Sequence, residues 1–187
     1  MRKLIINIAR YISNVNNYSK DQEKMVEYAL RVFLFETLKL VGIIIISLIT
    51  GYMIEVLVVV LVMYTTKPFI GGYHEDTQIK CFLASSMIIG FIIFLSFDIK
   101  IGLVSKLILI SIVIFCIWNQ APVMNSKMEI NKEKLIKRNR ILGVFISIVY
   151  GILSLVLYKH RILSNLIIWT LIFQSLLLFN KKINHNY

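Results

Sequence analysis

His74 and Cys81 stand seven positions apart in the stretch "KPFIGGYHEDTQIKC", Lys67 to Cys81, and the pair holds the elements of nucleophilic catalysis. A thiolate attacks carbonyl carbon, and an imidazole activates the thiol by ion pairing or by taking its proton. On one straight helix the two would share a face yet stand about 10 Å apart along the axis, whereas proton transfer needs a contact of about 3 Å. The spacing therefore predicts that no helix runs through both. Gly71 and Gly72 reach backbone angles closed to other residues, and Asp76 or Thr77 can cap a helix. That helix would carry Cys81 in its second turn, with His74 folding back from the preceding loop. The bland alternative is a solvated loop histidine and a packing cysteine. His74, Glu75, Asp76 and Cys81 include metal-ligand types, but without a paired spacing such as CxxC or HxxxH no metal site, and no cofactor, is expected.

The surroundings say what must position this loop. The chain has 187 residues, 58% of them hydrophobic, with two prolines and eight glycines and a mean hydropathy of +0.76. Apolar segments fall at roughly 32–50, 52–65, 82–97, 101–118, 141–158 and 162–179. Backbone in lipid must satisfy its own hydrogen bonds, so these read as helices. The expected fold is all-α: one polytopic membrane domain over 1–187, with no repeat and no interdomain linker. The start, "MRKLIINIARYISN", lacks a signal-peptide cleavage site and reads as an interfacial amphipathic helix within 1–31.

Charge orders the spans. A net charge of +11 would suggest nucleic acid for a soluble domain. Here the cations cluster between apolar runs, as membrane topology and anionic lipid headgroups require, and no nucleic acid is expected. Segments 82–97 and 101–118 put the His74 loop on the same side as loop 119–140. Those two loops and the tail hold ten cations: Lys67, Lys80, Lys127, Lys132, Lys134, Lys137, Arg138, Arg140, Lys181 and Lys182. The opposite side holds four: Lys100, Lys106, Lys159 and Arg161. The positive-inside rule makes the His74 side cytoplasmic. Six further cations in 1–31 belong inside too, which requires two helices before His74, meeting at Thr50–Tyr52, and six spans in all. The second is short, about 14 residues or roughly 21 Å. Five spans is the alternative, with 41–64 as one interrupted segment.

Outside the loop, Cys116 in "IVIFCIW" reads as packing, and His160 and His185 as solvated. Glu55, an acid in an apolar segment, is either functional or at a headgroup boundary. Glu36 and Lys39 have the i,i+3 spacing of a helical pair. "NKEKLIKRNR", Asn131 to Arg140, is either a topology anchor or a surface receiving an acidic peptide.

A basic residue, three residues, "GGYH", six residues and Cys is a pattern that resembles the accessory gene regulator protein B family of membrane cysteine endopeptidases. These process quorum-sensing propeptides in Gram-positive bacteria. Length, multiple spans and "APV" at Ala121 to Val123, followed by a basic loop, fit as well. The resemblance implies His74 and Cys81 as the catalytic pair of a cytoplasmic loop at 66–80. It matches Gly71 and Gly72 to the family's paired glycines and Lys67 to a position where many members have arginine. Keeping one charge there without the guanidinium fork changes what that position can bind.

It also implies the reaction: cleavage of a D-type accessory gene regulator propeptide through a Cys81 thioester, then cyclisation to a thiolactone or lactone. Lys132, Lys134, Lys137 and Arg138 in loop 119–140 are the candidate docking residues for its acidic part. Membrane lipids and a second copy of the chain, as a homodimer, are the other implied partners. The expected location is a multi-pass position in the cell membrane. A small transporter and a non-catalytic membrane assembly component are the competing classes; the first gives His74 and Cys81 no reason to be neighbours, and the second predicts that Cys81→Ser preserves all activity.

Overall fold

The computed structural model describes residues 2–72, 78–123 and 133–179. Among them every regular element is a helix. The chain divides into two units, Met1–Ile49 and Thr50–Tyr187.

The first unit begins with the amphipathic helix read from the sequence, α1 (Arg2–Val15). It buries Ile5, Ala9 and Ser13 and exposes Leu4, Ile8, Tyr11 and Val15. Asn17 takes φ 53°, and the Tyr18 amide reaches back to the Ser13 carbonyl at 2.9 Å, a left-handed stop of the Schellman type. Ser19 and Gln22 then form a capping box. The Ser19 amide donates to Gln22 Oε1 at 2.8 Å, and the Gln22 amide to Ser19 Oγ at 3.3 Å, satisfying donors that a helix start leaves open.

That start lies twelve residues before the apolar segment, so α2 (Lys20–Thr50) is 31 residues long, about 46 Å. Its polar turns are laced by Arg31 to Glu27 at 2.5 Å and Lys24 to Asp21 at 3.7 Å. The expected Glu36–Lys39 pair is present at 2.5 Å.

The expected break at "TGY" is also present. α2 stops at Thr50 and α3 (Met53–Ile70) starts after Tyr52, with Gly51 at φ +79°, a value glycine adopts without steric cost. The second span is not the short one that apolarity alone suggests. α3 runs through Lys67 and Pro68 to Ile70, so the link to the next helix begins at Gly71 rather than 66. Pro68 falls in the last turn, where it removes one helical N–H bond and sets its ring against the carbonyl four residues back, two residues before the helix ends.

α4 (Gln78–Asp98), α5 (Leu103–Gln120) and α6 (Glu133–Val156) follow. After a short 3₁₀ turn comes α7 (Arg161–Leu177), 17 residues long. Among the described residues five helices, α2 to α6, have the length and apolarity to cross a membrane, and α7 is a shorter apolar helix. The chain is a multi-pass membrane protein.

α7 packs against α3, α4, α5 and α6 and buries Leu166, Ile167, Ile168, Thr170 and Leu171. Close approach is set by small residues on α6, where Gly143, Ser147, Gly151 and Ser154 are buried at helical spacing. A methyl group at Gly143 would come within 2.6 Å of Ile70 Cγ2, and one at Gly151 within 2.9 Å of Ile110 Cγ2. Polar side chains cross between helices. Thr66 Oγ1 donates to Gln174 Oε1 at 2.5 Å, Thr65 and Tyr150 hydroxyls meet at 2.9 Å, and Asn165 Nδ2 reaches the Ile99 carbonyl at 2.8 Å.

Lys106 corrects the charge count. It is not a loop cation but lies 1% exposed inside the unit. Its Nζ donates to Ser164 Oγ and sits 5.4 Å from the Tyr158 ring centroid. Ser164 Oγ in turn donates to the Ser154 carbonyl at 2.6 Å, and Ser154 Oγ to the Ser164 carbonyl at 3.2 Å. Three cations therefore remain on that side, which sharpens the asymmetry. No carboxylate pairs with Lys106 among the described residues. Lys106→Met, which keeps the stem's volume and removes the buried charge, is expected to hold or raise the thermal midpoint in detergent. Lys106→Ala is expected to lower stability by about 2 kcal/mol through the cavity left behind.

Candidate active site

The end of α3 is closed by the Gly71 amide, which donates to the Lys67 carbonyl at 2.9 Å. Gly71 has φ +75° and Gly72 φ +146°, both outside the range of ordinary side chains. Between them they turn the backbone off the helix axis toward the segment that precedes α4.

Space makes the two glycines different. Gly71 forms an isolated parallel bridge with Val123, in which the Val123 amide donates to the Ile70 carbonyl at 3.0 Å. A Cβ on Gly71 would stand 2.1 Å from the Val123 carbonyl oxygen, whereas one on Gly72 would meet nothing within 4 Å. Only Gly71 is demanded by close approach of another backbone.

The partner segment is "APV". α5 ends as the Ala121 amide donates to the Ile117 carbonyl at 2.9 Å, and a cis Ala121–Pro122 bond follows. Arg140, two turns into α6, donates from Nε to the Ala121 carbonyl at 2.7 Å. The ends of α3 and α5 and the start of α6 thus meet at one end of the second unit, as the same-side reading of the two loops requires. Beneath them Val62, Ile70, Val113, Ile117, Ala121, Val144, Ile167, Leu171 and Leu178 form a continuous core, so this end rests on packed side chains.

Cys81 is a free, half-buried thiol. α4 opens at Gln78, which makes Cys81 its fourth residue, where the first turn closes. The first four amides of a helix have no partner within it, so the thiol stands beside a set of backbone donors. His74, with Glu75, Asp76 and Thr77, lies outside the described residues, as does Lys132. Lys67 is half-buried in the last turn of α3, and Lys134, Lys137 and Arg138 are exposed on the first turns of α6. Cations at a helix N-terminus oppose the macrodipole, so helix stability does not account for these three. Among the described residues no three His, Cys, Asp or Glu side chains gather in a way that would hold a metal ion.

The structure places Glu55 on a described helix. It lies in the first turn of α3, about 24 Å along the axis from Gly71, and a carboxylate suits a helix start. Glu55→Gln is expected to change the thermal midpoint in detergent little, equivalent to less than about 0.5 kcal/mol.

Arg140 is the residue at this end that the sequence alone did not single out. Its signal was its place as the last cation of the basic run, directly before the apolar stretch of α6.

Comparison with known proteins agrees with this architecture. The family model described as accessory gene regulator B matches residues 5–178. AgrB-like protein 1 of Clostridium perfringens is 42% identical over 181 residues, covering 97% of this chain and 97% of that one. No solved structure matches the chain.

Proposed function

The chain belongs to the accessory gene regulator B family, which places it in quorum-sensing peptide processing at the membrane, and from that premise we propose that it is a cysteine endopeptidase acting through Cys81 and His74. The observation that carries this reading is the position of Cys81. It is a half-buried thiol in the first turn of α4, reached by a short segment from the glycine turn that closes α3. His74 is two residues beyond Gly72 and four before Gln78, a tether short enough to hold an imidazole near that turn.

Cys81 Sγ attacks a backbone carbonyl in the C-terminal part of a D-type propeptide while His74 accepts the thiol proton. The C–N bond breaks as His74 returns that proton to the leaving amine, and a thioester to Cys81 remains. The amides of the first turn of α4 supply the donors for the developing oxyanion. A thiol or hydroxyl side chain of the bound propeptide then attacks the thioester, releasing a thiolactone or lactone ring and the Cys81 thiol. Thioester exchange conserves the activated acyl group, which water would consume, so a site at the membrane boundary favours ring closure.

The cations of loops 66–80 and 119–140 support a cytoplasmic location for this end. Lys132, Lys134, Lys137 and Arg138 are suited to docking an acidic peptide part, and α1 to lying in the interface. Homodimerisation belongs to the same reading.

The test is co-expression with the propeptide encoded beside the chain, followed by intact mass measurement of the membrane fraction. A released C-terminal fragment and a hydroxylamine-labile propeptide adduct on Cys81 are the expected result. An intact propeptide, present in the same membranes and never found on Cys81, would sink the reading.

A further inference from the structure

Lys106 carries its ammonium into the second unit at 1% exposure, and the acids of the chain are placed elsewhere. There are ten of them. Asp21, Glu23, Glu27 and Glu36 each pair with a cation of the first unit. Glu75, Asp76, Glu129 and Glu133 adjoin the starts of α4 and α6 and the end of α5 in the chain, and Lys106 stands about 21 Å along α5 from that end. Glu55 and Asp98, at the helix ends nearer to Lys106, form no ion pair among the described residues. One of the three ammonium donors is taken by Ser164 Oγ. A buried charge without a counter-charge costs free energy that an arriving anion would recover.

The surroundings are built for such an anion. Lys106 and Ser164 are each the fourth residue of their helix, and their amides make the first helical bonds, to the Gly102 and His160 carbonyls at 3.0 Å. The amides before them are the open donors of two helix starts, which neither Gly102 nor His160 caps with a side chain. Both helix dipoles therefore add positive potential beside the ammonium. Lys100 and Lys159 are exposed and Arg161 half-buried around the same two helix starts. Over the ammonium lies the ring of Tyr158, 5.4 Å away at its centroid and itself 43% exposed, so its rotation uncovers the charge. Flanking the site, Val104 and Leu107 on α5 and Leu153 and Val156 on α6 expose apolar side chains. A soluble anion has no use for these, whereas acyl chains cover them.

We propose that this end of the bundle binds the phosphate headgroup of an anionic phospholipid, with the Lys106 ammonium and the Arg161 guanidinium as its charged contacts once Tyr158 turns aside. Charge-assisted bonds to phosphate then replace a cation–π contact, in the manner of basic pockets between membrane helices. The site lies at the opposite end of α4 and α5 from Cys81 and stands independently of the peptidase reading.

The experiment uses the full chain, stripped of lipid in neutral detergent and titrated at constant ionic strength with phosphatidylglycerol, phosphatidylcholine or inorganic phosphate. Native mass spectrometry counts the lipids retained, and the thermal midpoint follows their effect. Wild type is expected to retain one phosphatidylglycerol more than Lys106→Met and to bind it about fivefold more tightly or better. Arg161→Gln is expected to weaken the same binding by a similar factor, and it reads the site should Lys106→Met fail to fold. Without lipid Lys106→Met holds its midpoint, so a phosphatidylglycerol-dependent rise that is larger in wild type separates lipid binding from a purely structural lysine.

Equal phosphatidylglycerol retention by wild type and both variants would overturn the proposal and leave Lys106 as a link between α5 and α7. Phosphatidylcholine held as tightly would reduce the site to an apolar groove without charge recognition, and overturn it as well. Inorganic phosphate bound through Lys106 at the affinity of the lipid would overturn the lipid assignment in favour of a soluble anion.

Discussion

Cys81→Ala is expected to reduce release of the C-terminal peptide by about 10⁴-fold or more, because in the proposed reaction Cys81 is the group that forms the acyl-enzyme. Cys81→Ser should fall nearly as far. A hydroxyl in place of the thiol is a poorer nucleophile with a partner arranged for sulfur, and an oxygen ester conserves less of the acyl group's activation. Cys116→Ala, altering the other free cysteine, should leave turnover within about twofold. His74→Ala is expected to cost about 10²- to 10⁴-fold, the range of general acid–base assistance.

A second readout separates a catalytic histidine from a loop-shaping one. Added imidazole should restore part of the turnover of His74→Ala, because a free base can take over a missing general base but not a missing loop contact. No recovery at any imidazole concentration would remove His74 from the proposed pair while leaving Cys81 in place.

Gly71→Ala should be the most damaging change outside the proposed catalytic pair. The new methyl would stand 2.1 Å from the Val123 carbonyl oxygen, a backbone atom that cannot rotate away, at a φ of +75° that already disfavours a side chain. Overpacking and backbone strain together amount to about 3 kcal/mol or more. Relief of that clash separates Gly71 from Val123, which displaces the chain leading to His74. Propeptide processing should then drop about 100-fold, with a lower thermal midpoint in detergent.

Gly72→Ala makes the control. Its methyl enters open space, so only the strain of φ +146° remains, about 1–2 kcal/mol and roughly tenfold in processing. A Gly72 variant more damaged than the Gly71 variant would mean that the bridge to Val123 is not what the first glycine serves.

Much of this protein is legible within windows of a few residues. Runs of apolar residues marked every helix of the second unit. Thr50–Tyr52 marked the break before α3, the Glu36–Lys39 spacing marked a salt bridge, and the glycine pair with a following polar cluster marked the approach to the Cys81 helix. Each depends on local backbone preference or on neighbours one helical turn away, which the order of residues specifies directly. The same windows misjudged α3, because apolarity faded at Thr65 while the helical hydrogen bonds continued to Ile70. They missed the early start of α2 because a capping box and salt-bridged polar turns carry a helix without apolar residues. The stripe Gly143, Ser147, Gly151 was present in the sequence as a packing signal, although which helices it admitted was not.

The rest required distant segments to meet. That Gly71 faces Val123, that Arg140 holds Ala121, that Lys106 turns inward onto Ser164, and that Glu55 stands at the far end from Cys81 are consequences of how α3, α5, α6 and α7 pack. Those contacts join residues tens of positions apart. Their free energy comes from shared burial and cross-helix hydrogen bonds, and neither partner's own neighbours in the chain encode it.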